Sequence, residues 1–361
     1  MKVGIVTFHR AINYGAVLQT YALQQFLEEN AIHAEVIDYR SRTIEELYDV
    51  FHPFLNNIRT LSVIPRIKKK NGFQAFIKKF LSLSKEVHTK EELKELINDY
   101  DCFITGSDQV WCEKCAKHDQ NYFLDFIKDG NMKFSYAASI GKTQFDEKTI
   151  ECYKELLTQY DYISIREESS RKLLEQCGKR ENVFVHVDPT LLLSADKWDR
   201  LRKRKVQKGK YILVYTVLGQ YHLFEYAKKL SEKTGLPIIY LNDTMLHRQK
   251  GMKYQVAVTP EEFVGHFAEA EYVVTNSFHG TVFSILYHKQ FMVEVEAVGR
   301  RNIRSEELLN SLGLNSRILG SENQDQIESK VEWKIVEQKL EEEREKSRRY
   351  FDLIEHVGEN G

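Results

Sequence analysis

Short apolar, β-rich runs alternate with stretches of helical spacing along most of the chain, and the alternation pauses and restarts once, near residue 200. Residues 3–8 form the first run, and within 15–27 the residues Val17, Leu18, Tyr21, Ala22, Gln25 and Phe26 fall near the spacing of one helix face. A second run at 34–39 follows at a distance that suits a right-handed parallel crossover. Strands are expected again at 102–105, 133–138, 162–165 and 183–187, with helices around 91–98, 148–157 and 168–176. Thr89 with Glu92 three residues on makes a capping box for the first of these helices. Beyond Asp188-Pro189-Thr190 and the basic run 200–210, strands at 211–216, 237–241, 272–275 and 291–294 alternate with helices at 221–234, 260–267 and from 280. The pattern is that of an α/β protein with two doubly wound, Rossmann-like parallel-sheet domains. The expected division is 1–200, 201–320 and a helical extension at 321–361, whose apolar residues Val331, Ile335, Leu340, Tyr350, Phe351 and Ile354 suit long helices packing back across both domains.

Composition narrows the classes further. A length of 361 residues fits two domains of roughly 150 each. With 42% hydrophobic and 29% charged residues the chain can build ordinary cores, which removes disordered and disulfide-scaffold classes. Fifty-two basic against 53 acidic residues leave a formal charge of −1, so no nucleic-acid partner is expected. Five cysteines, an odd number in so large a chain, suit a reducing compartment. No signal peptide and no run of about 18 apolar residues is visible, which makes the cytoplasm the expected location.

Chemistry is expected in a cleft facing the carboxyl ends of the strands. In Val273-Val274-Thr275-Asn276-Ser277-Phe278-His279-Gly280-Thr281 a buried strand runs into a helix. Asn276 or Ser277 can cap that helix, whose free N–H groups and positive dipole end suit phosphate or carboxylate. His279 can add a hydrogen bond or a proton, and Gly280 would let a ligand approach closely. An imidazole satisfying a buried partner, with Ser277 as an ordinary cap, accounts for the same residues. In Thr105-Gly106-Ser107-Asp108-Gln109-Val110-Trp111 a hydroxyl, a carboxylate and an amide stand together, with Asp108 able to take a proton from a substrate hydroxyl. Its alternative is a helix cap with Trp111 as core. Ile163-Ser164-Ile165-Arg166 delivers a guanidinium suited to carboxylate or phosphate, or to an ion pair with Glu167 or Glu168.

The turn from His9 to Ala16 follows the first strand but has a single usable glycine, so it is neither a P-loop nor a dinucleotide fingerprint. Asn13 and Tyr14 could contact a sugar, and Asn13 could equally be a helix cap. Cys112-x-x-Cys115 with His118 lacks the second pair of spaced ligands that a structural zinc site needs, and no metal is expected.

Taken together these stations resemble the polysaccharide pyruvyl transferase family over roughly residues 10 to 315. The motifs that carry the resemblance are NYGAVLQTYALQQFL at Asn13, TGSDQVW at Thr105, YAASIG at Tyr136, ISIREESS at Ile163, DPTLLL at Asp188 and TNSFHGTVFSI at Thr275. The resemblance implies a two-domain GT-B type enzyme that moves the pyruvate moiety of phosphoenolpyruvate onto sugar hydroxyls of a cell-surface glycan, commonly as a cyclic ketal. It implies that His279 and Arg166 handle the donor's anionic groups. Donor contacts are then expected from Arg166, Asn276, Ser277, His279 and Gly280, and acceptor contacts from Asn13, Tyr14, Ser107, Asp108 and Gln109. Asn276 stands where many relatives carry an acid, and Cys112 follows Trp111 where an asparagine is common. The residue chemistry agrees, because a small molecule carrying a carboxylate and a phosphate needs a guanidinium and a helix N-terminus, and the scheme needs no cofactor or metal.

From Asp49 to Glu86 no acidic residue intervenes, while Arg59, Arg66, Lys68, Lys69, Lys70, Lys78, Lys79 and Lys85 are basic. Phe73, Phe76, Ile77, Phe80 and Leu81 form an apolar stripe of helical spacing within this basic segment, 57–85. The helix could lie on an anionic membrane at its inner face, where a lipid-linked oligosaccharide acceptor would be met, or pack on the N-terminal domain as an ordinary helix. Two rival functions use the same architecture: a nucleotide-sugar-dependent GT-B glycosyltransferase and a non-catalytic glycan-binding protein.

Overall fold

The computed structural model describes residues 1–48, 60–112, 119–127, 132–141, 146–217, 222–242, 249–297, 300–320 and 326–359. The chain forms two units, one of residues 1–52, 77–193 and 342–361, the other of residues 53–76 and 194–341. The expected division at 200 and 320 is therefore redrawn. Most of the basic segment counts with the second unit, and the C-terminal extension is shared between the two.

In chain order the first unit holds β1 (Lys2–Val6), α1 (Tyr14–Glu29), β2 (His33–Tyr39), α2 (Arg42–Leu47), the end of α3 (Thr60–Phe80), β3 (Leu83–Val87), α4 (Lys90–Glu95), β4 (Cys102–Thr105), β5 (Met132–Ser135), α5 (Glu147–Thr158), β6 (Ile163–Ile165), α6 (Arg171–Gln176) and β7 (Val183–Val185). Its sheet has the order β3-β2-β1-β4-β5 with every pair parallel. The parallel pair β6-β7 continues from β5 through bridges joining Phe134 to Tyr162 and Ala138 to Ile165. β1 and β4 are buried along nearly their whole length, as strands covered by helices on both faces must be. Trp111, fully buried, stacks on Phe123 with ring centres 5.5 Å apart and donates its indole N–H to the Tyr122 carbonyl at 3.3 Å. Thr89 and Glu92 close the expected capping box on α4.

The second unit holds α7 (Ala195–Leu201), β8 (Ile212–Tyr215), α8 (Leu223–Thr234), β9 (Ile238–Leu241), β10 (Met252–Gln255), α9 (Pro260–Glu269), β11 (Tyr272–Thr275), α10 (Phe278–Leu286), β12 (Gln290–Val293), the short ribbon β13 (Glu296–Ala297) and β14 (Arg300–Arg301), α11 (Ile303–Leu312) and the start of α12 (Trp333–Glu359). Its sheet order, β10-β9-β8-β11-β12, is all parallel and repeats the winding of the first. Leu223, Ala227 and Leu230 of α8 pack on Ile212, Val214, Tyr240, Val274 and Met292. Every residue of α10 is buried, the Thr281 and Ser284 hydroxyls donating back to the carbonyls of Ser277 and Gly280. The two doubly wound α/β sheets are those the sequence pattern predicts. The C-terminal helix also packs back as expected. Within the second unit His288 stacks on Trp333 at 4.5 Å, and within the first Arg344 Nε donates to the Leu191 carbonyl at 3.0 Å while Tyr350 donates its hydroxyl to the Ser135 carbonyl at 2.8 Å.

Candidate functional site

Each sheet reverses its winding once, between β1 and β4 in the first unit and between β8 and β11 in the second, and open α/β sheets take ligands where the carboxyl ends flank such a reversal. In the first unit β4 runs into Gly106-Ser107-Asp108-Gln109, β6 into Arg166-Glu167 and β7 into His186-Val187-Asp188. Ser107, Arg166 and Asp188 meet there. Arg166 Nη1 donates to Asp188 Oδ2 at 2.7 Å, and the Ser107 hydroxyl donates to the same oxygen at 3.1 Å. Asp188 Oδ1 accepts from the Thr190 backbone and hydroxyl at 3.0 and 2.6 Å, as the cap of the turn that Pro189 opens. Glu167 Oε2 lies 3.6 Å from Arg166 Nε, while its Oε1 accepts from Ser139 Oγ at 2.8 Å and Ile140 N at 3.2 Å. The Arg166 and Asp188 side chains are 2% and 0% exposed. Burial would lower the pKa of the guanidinium, but the carboxylates of Asp188, Glu167 and Asp108 outweigh it and hold Arg166 charged.

Asp108 has φ +72°, a left-handed conformation uncommon outside glycine, and starts no helix: the chain turns at 109–111 instead. Its carbonyl accepts from Ser139 N at 2.9 Å, so the strained residue is pinned at the sheet's carboxyl edge with its side chain half-buried. Gln109 turns toward Gly141, where φ is +68° and an added Cβ would lie 2.0 Å from Gln109 Nε2.

On the first turn Asn13 is an exposed N-cap whose Oδ1 accepts from Gly15 N at 2.9 Å and Ala16 N at 3.4 Å, so its acceptor is spent on α1. Tyr14 is buried at the start of the same helix. Sequence reasoning missed the cluster beside them. His9 Nε2 contacts Asp38 Oδ1 at 3.0 Å, and Arg10 grips both carboxylate oxygens, with Nε at 2.8 Å from Oδ1. Burial works to raise the Asp38 pKa, but the bonds from His9 and Arg10 hold it well below the usual carboxylate range. The available signal was position alone, since His9 and Arg10 follow β1 and Asp38 is the last residue but one of β2.

In the second unit Ser277 caps α10, its Oγ accepting from Gly280 N at 3.3 Å, which places His279 in the first turn. Asn276 is not the cap. Its Oδ1 accepts from Val217 N at 3.0 Å, and its carbonyl accepts from Asn302 Nδ2 at 2.9 Å. Gly280 is not open to a ligand either, because an added Cβ would lie 2.4 Å from Thr275 Oγ1, which donates to the Tyr215 carbonyl at 2.6 Å. Glycine here lets the helix close onto the strand. Glu294, at the end of β12, is a further residue missed from sequence. Its Oε1 accepts from His222 N at 2.8 Å, so a carboxylate occupies the N-terminus of α8. Burial pushes the Glu294 carboxyl above its ordinary range, against the pull of the His222 and Leu223 N–H groups.

Thus the first unit gathers Ser107, Arg166 and Asp188, the second gathers Asn276, Ser277 and His279 along one sheet edge, and Asn13 remains a helix cap. Among the described residues no group of three His, Cys, Asp or Glu is placed to hold a metal ion, and Cys115 and His118 lie outside them. The apolar stripe of the basic segment is buried at Phe73, Phe76, Ile77 and Leu81 and half-buried at Phe80; residues 57–59 lie outside the described ones. No helix among the described residues is long and apolar enough to cross a membrane.

Residues 13–293 match the family described as polysaccharide pyruvyl transferase. The chain belongs to that family. Membership makes it a transferase of the pyruvyl transferase kind with a polysaccharide as its acceptor class. No curated protein matches it. Among solved structures this pyruvyl transferase family member is similar to Anabaena HepE in complex with UDP, at 10% identity over 96% of this chain and 95% of that one, with a TM-score of 0.50. It is also similar to UDP-GlcNAc 2-epimerases of Neisseria meningitidis bound to UDP-GlcNAc (16% identity, 95% and 94% covered, TM-score 0.49) and of Methanocaldococcus jannaschii with UDP-GlcNAc and UDP (15%, 94% and 93%, 0.47). At such identities the likeness concerns the fold alone, and the two-sheet architecture is the GT-B type expected of the family.

Proposed function

We propose that the protein transfers the pyruvate moiety of phosphoenolpyruvate to sugar hydroxyls of a cell-surface polysaccharide or its lipid-linked precursor, closing a ketal. The observation that carries this reading is the N-terminus of α10, where a Ser277 cap and a first-turn His279 stand at the winding reversal of a parallel sheet, a setting made for a phosphate. A proton added to the methylene carbon of the donor takes up the double-bond electrons and leaves C2 an oxocarbenium. One sugar hydroxyl bonds to C2 and loses its proton, the C2–O bond to phosphate breaks with its electron pair leaving on the phosphate, and a second hydroxyl bonds to C2 to close the ring, its proton going to the departing phosphate. His279 is assigned to the phosphate or to delivery of the proton, Arg166 to the donor carboxylate, and Asp108 to the acceptor hydroxyl. No cofactor or metal enters the scheme.

The nucleotide-sugar reading is less well supported. The α8 N-terminus, the natural seat for a diphosphate after the unit's first strand, already holds the Glu294 carboxylate.

Purified protein incubated with phosphoenolpyruvate and candidate glycans should release inorganic phosphate only when an acceptor is present, and the glycan should gain the mass of pyruvic acid less one water. Phosphate release without an acceptor, or turnover of nucleotide sugars in place of phosphoenolpyruvate, would count against the reading. Removing Arg166 outright would strand Asp188, so Arg166→Lys is the cleaner variant. It keeps the charge, loses the planar fork, and should lower kcat/KM for the donor roughly 10- to 100-fold, mainly through KM. An unchanged donor KM would take Arg166 out of the donor site.

A further inference from the structure

The connection between β8 and α8 is held at both of its described ends by side chains from neighbouring strand ends. Asn276 Oδ1 accepts from Val217 N, and Glu294 Oε1 accepts from His222 N, at 3.0 and 2.8 Å. Each clamp uses one head of a two-headed side chain. The other heads, Asn276 Nδ2 and Glu294 Oε2, are buried and make no hydrogen bond of ordinary geometry among the described residues, although the Leu223 N–H also pulls on the Glu294 carboxylate. Asn276 is 0% and Glu294 3% exposed.

These two residues are neighbours by register. Thr275 pairs with Val293, and the ladder continues one step further, with Glu294 N donating to the Thr275 carbonyl at 2.9 Å. Asn276 and Glu294 therefore follow adjacent parallel strands, whose spacing is about 4.8 Å. One unmet head is a donor and the other an acceptor. Buried polar groups left unmet are rare in native proteins, and an adjacent pair of opposite polarity calls for a ligand atom that can both accept and donate. A phosphate oxygen would suit the amide but be repelled by the carboxylate. An ammonium would suit the carboxylate but not the amide. A hydroxyl satisfies both.

We propose that Asn276 and Glu294 form a binding site for a sugar hydroxyl, the amide donating to its oxygen and the carboxylate accepting its proton. The proposal rests on the functional reading above only in taking a sugar as the ligand. A hexose of the acceptor glycan and the ribose of a nucleotide share this chemistry, and the experiment separates them.

Glu294→Gln keeps an oxygen for His222 and turns the other head into a donor. Asn276→Asp keeps an oxygen for Val217 and turns its other head into an acceptor. Each single change leaves two heads of one polarity, whereas the double change restores one of each, exchanged between strands. A hydroxyl can reverse its direction and accept the exchange, but an anion cannot. Saturation-transfer NMR with methyl hexopyranosides of glucose, galactose and mannose, and with uridine, should show binding to the wild type. It should be weakened about tenfold or more in Kd by either single change and regained in the double variant. Binding by a hexoside places the acceptor here, and binding by uridine places a ribose; either supports a hydroxyl site. If neither sugar class binds the wild type, or if Glu294→Gln gains affinity for inorganic phosphate while sugar binding is untouched, the proposal is overturned. Should a single variant fail to fold, the double variant decides. If it melts like the wild type but binds no sugar, the pair serves the loop alone and the proposal fails. Loss of phosphoenolpyruvate turnover with sugar binding intact would sink the functional reading and leave this one standing.

Discussion

Gly280 sits where a single methyl group is too much, since an added Cβ would meet Thr275 Oγ1 at 2.4 Å, and that hydroxyl is already committed to the Tyr215 carbonyl. Gly280→Ala should therefore lower unfolding stability by about 1–3 kcal/mol despite the better helix propensity of alanine, and Gly280→Ala with Thr275→Ala should recover part of the loss. Chemical denaturation checks this, and wild-type stability in the single variant would mean the helix sits further from the strand than described. At this scale the sequence made position legible. His279, Arg166 and Ser107 lie just past strand ends as expected, because strand ends followed by small or polar residues mark the carboxyl edge of a parallel sheet. The partners were not legible, because Asp188 reaches Arg166 across 22 positions and Glu294 reaches His222 across 72, and no local pattern encodes such meetings. The same partnership makes Asp188→Asn informative. It leaves the buried guanidinium with only Glu167 and Asp108 to balance it and should cost about 1–3 kcal/mol if the ion pair is as dry as its burial indicates. A loss under about 1 kcal/mol in the same denaturation experiment would show that water reaches Arg166.

Among elements, the central strands and the apolar edge strand β12 were legible, and the polar edges β3 and β10 were not. β1, β4, β8 and β11 are apolar runs buried on both faces, whereas β3 (LSKEV) and β10 (MKYQ) lie at sheet edges and carry the charged and polar residues that keep edges from pairing elsewhere. Their composition reads as loop for that physical reason. Helix α3 shows a different limit, because periodicity tells which face is apolar but not what covers it. Phe73, Phe76 and Ile77 are buried in protein, while Lys68 and Lys78 are exposed. Phe76→Ala should accordingly destabilise by about 3–5 kcal/mol, and charge reversal at Lys68 and Lys78 should stay within about 0.5 kcal/mol. If Phe76→Ala melts like the wild type and instead changes binding to anionic vesicles, the apolar face belongs to a membrane after all.

For the whole molecule, burial lowers the pKa of a histidine in each unit among the described residues, and both make stability respond to acid. In the first unit burial, aided by the charge of Lys346, pushes His186 down to about 4, with its Nδ1 2.8 Å from Ser164 Oγ. In the second, burial pushes His266 down to about 4 against the opposing pull of Glu262 and Glu269. A histidine in the unfolded chain titrates near 6.5, so between that value and about 4 the unfolded state binds protons that the folded state does not. The stability these residues hold is fully present above pH 6.5 and drains as pH falls through that window, by up to about 3 kcal/mol each at 1.36 kcal/mol per pH unit. Asp38 works in the same direction but lower, because its depressed carboxyl resists protonation until well below the ordinary carboxylate range. The stretch from pH 6.5 to about 4 is therefore where the histidines dominate among these three groups. Calorimetry at pH 7.5 and 4.5 should show Tm falling for both units, since neither is without its buried imidazole. His266→Phe, which fills a buried space beside Tyr211 with a ring that cannot protonate, should flatten the fall for the second unit and leave that of the first unchanged. If both units keep their wild-type pH slope in that variant, His266 is reached by solvent in the folded protein and contributes nothing to the acid response.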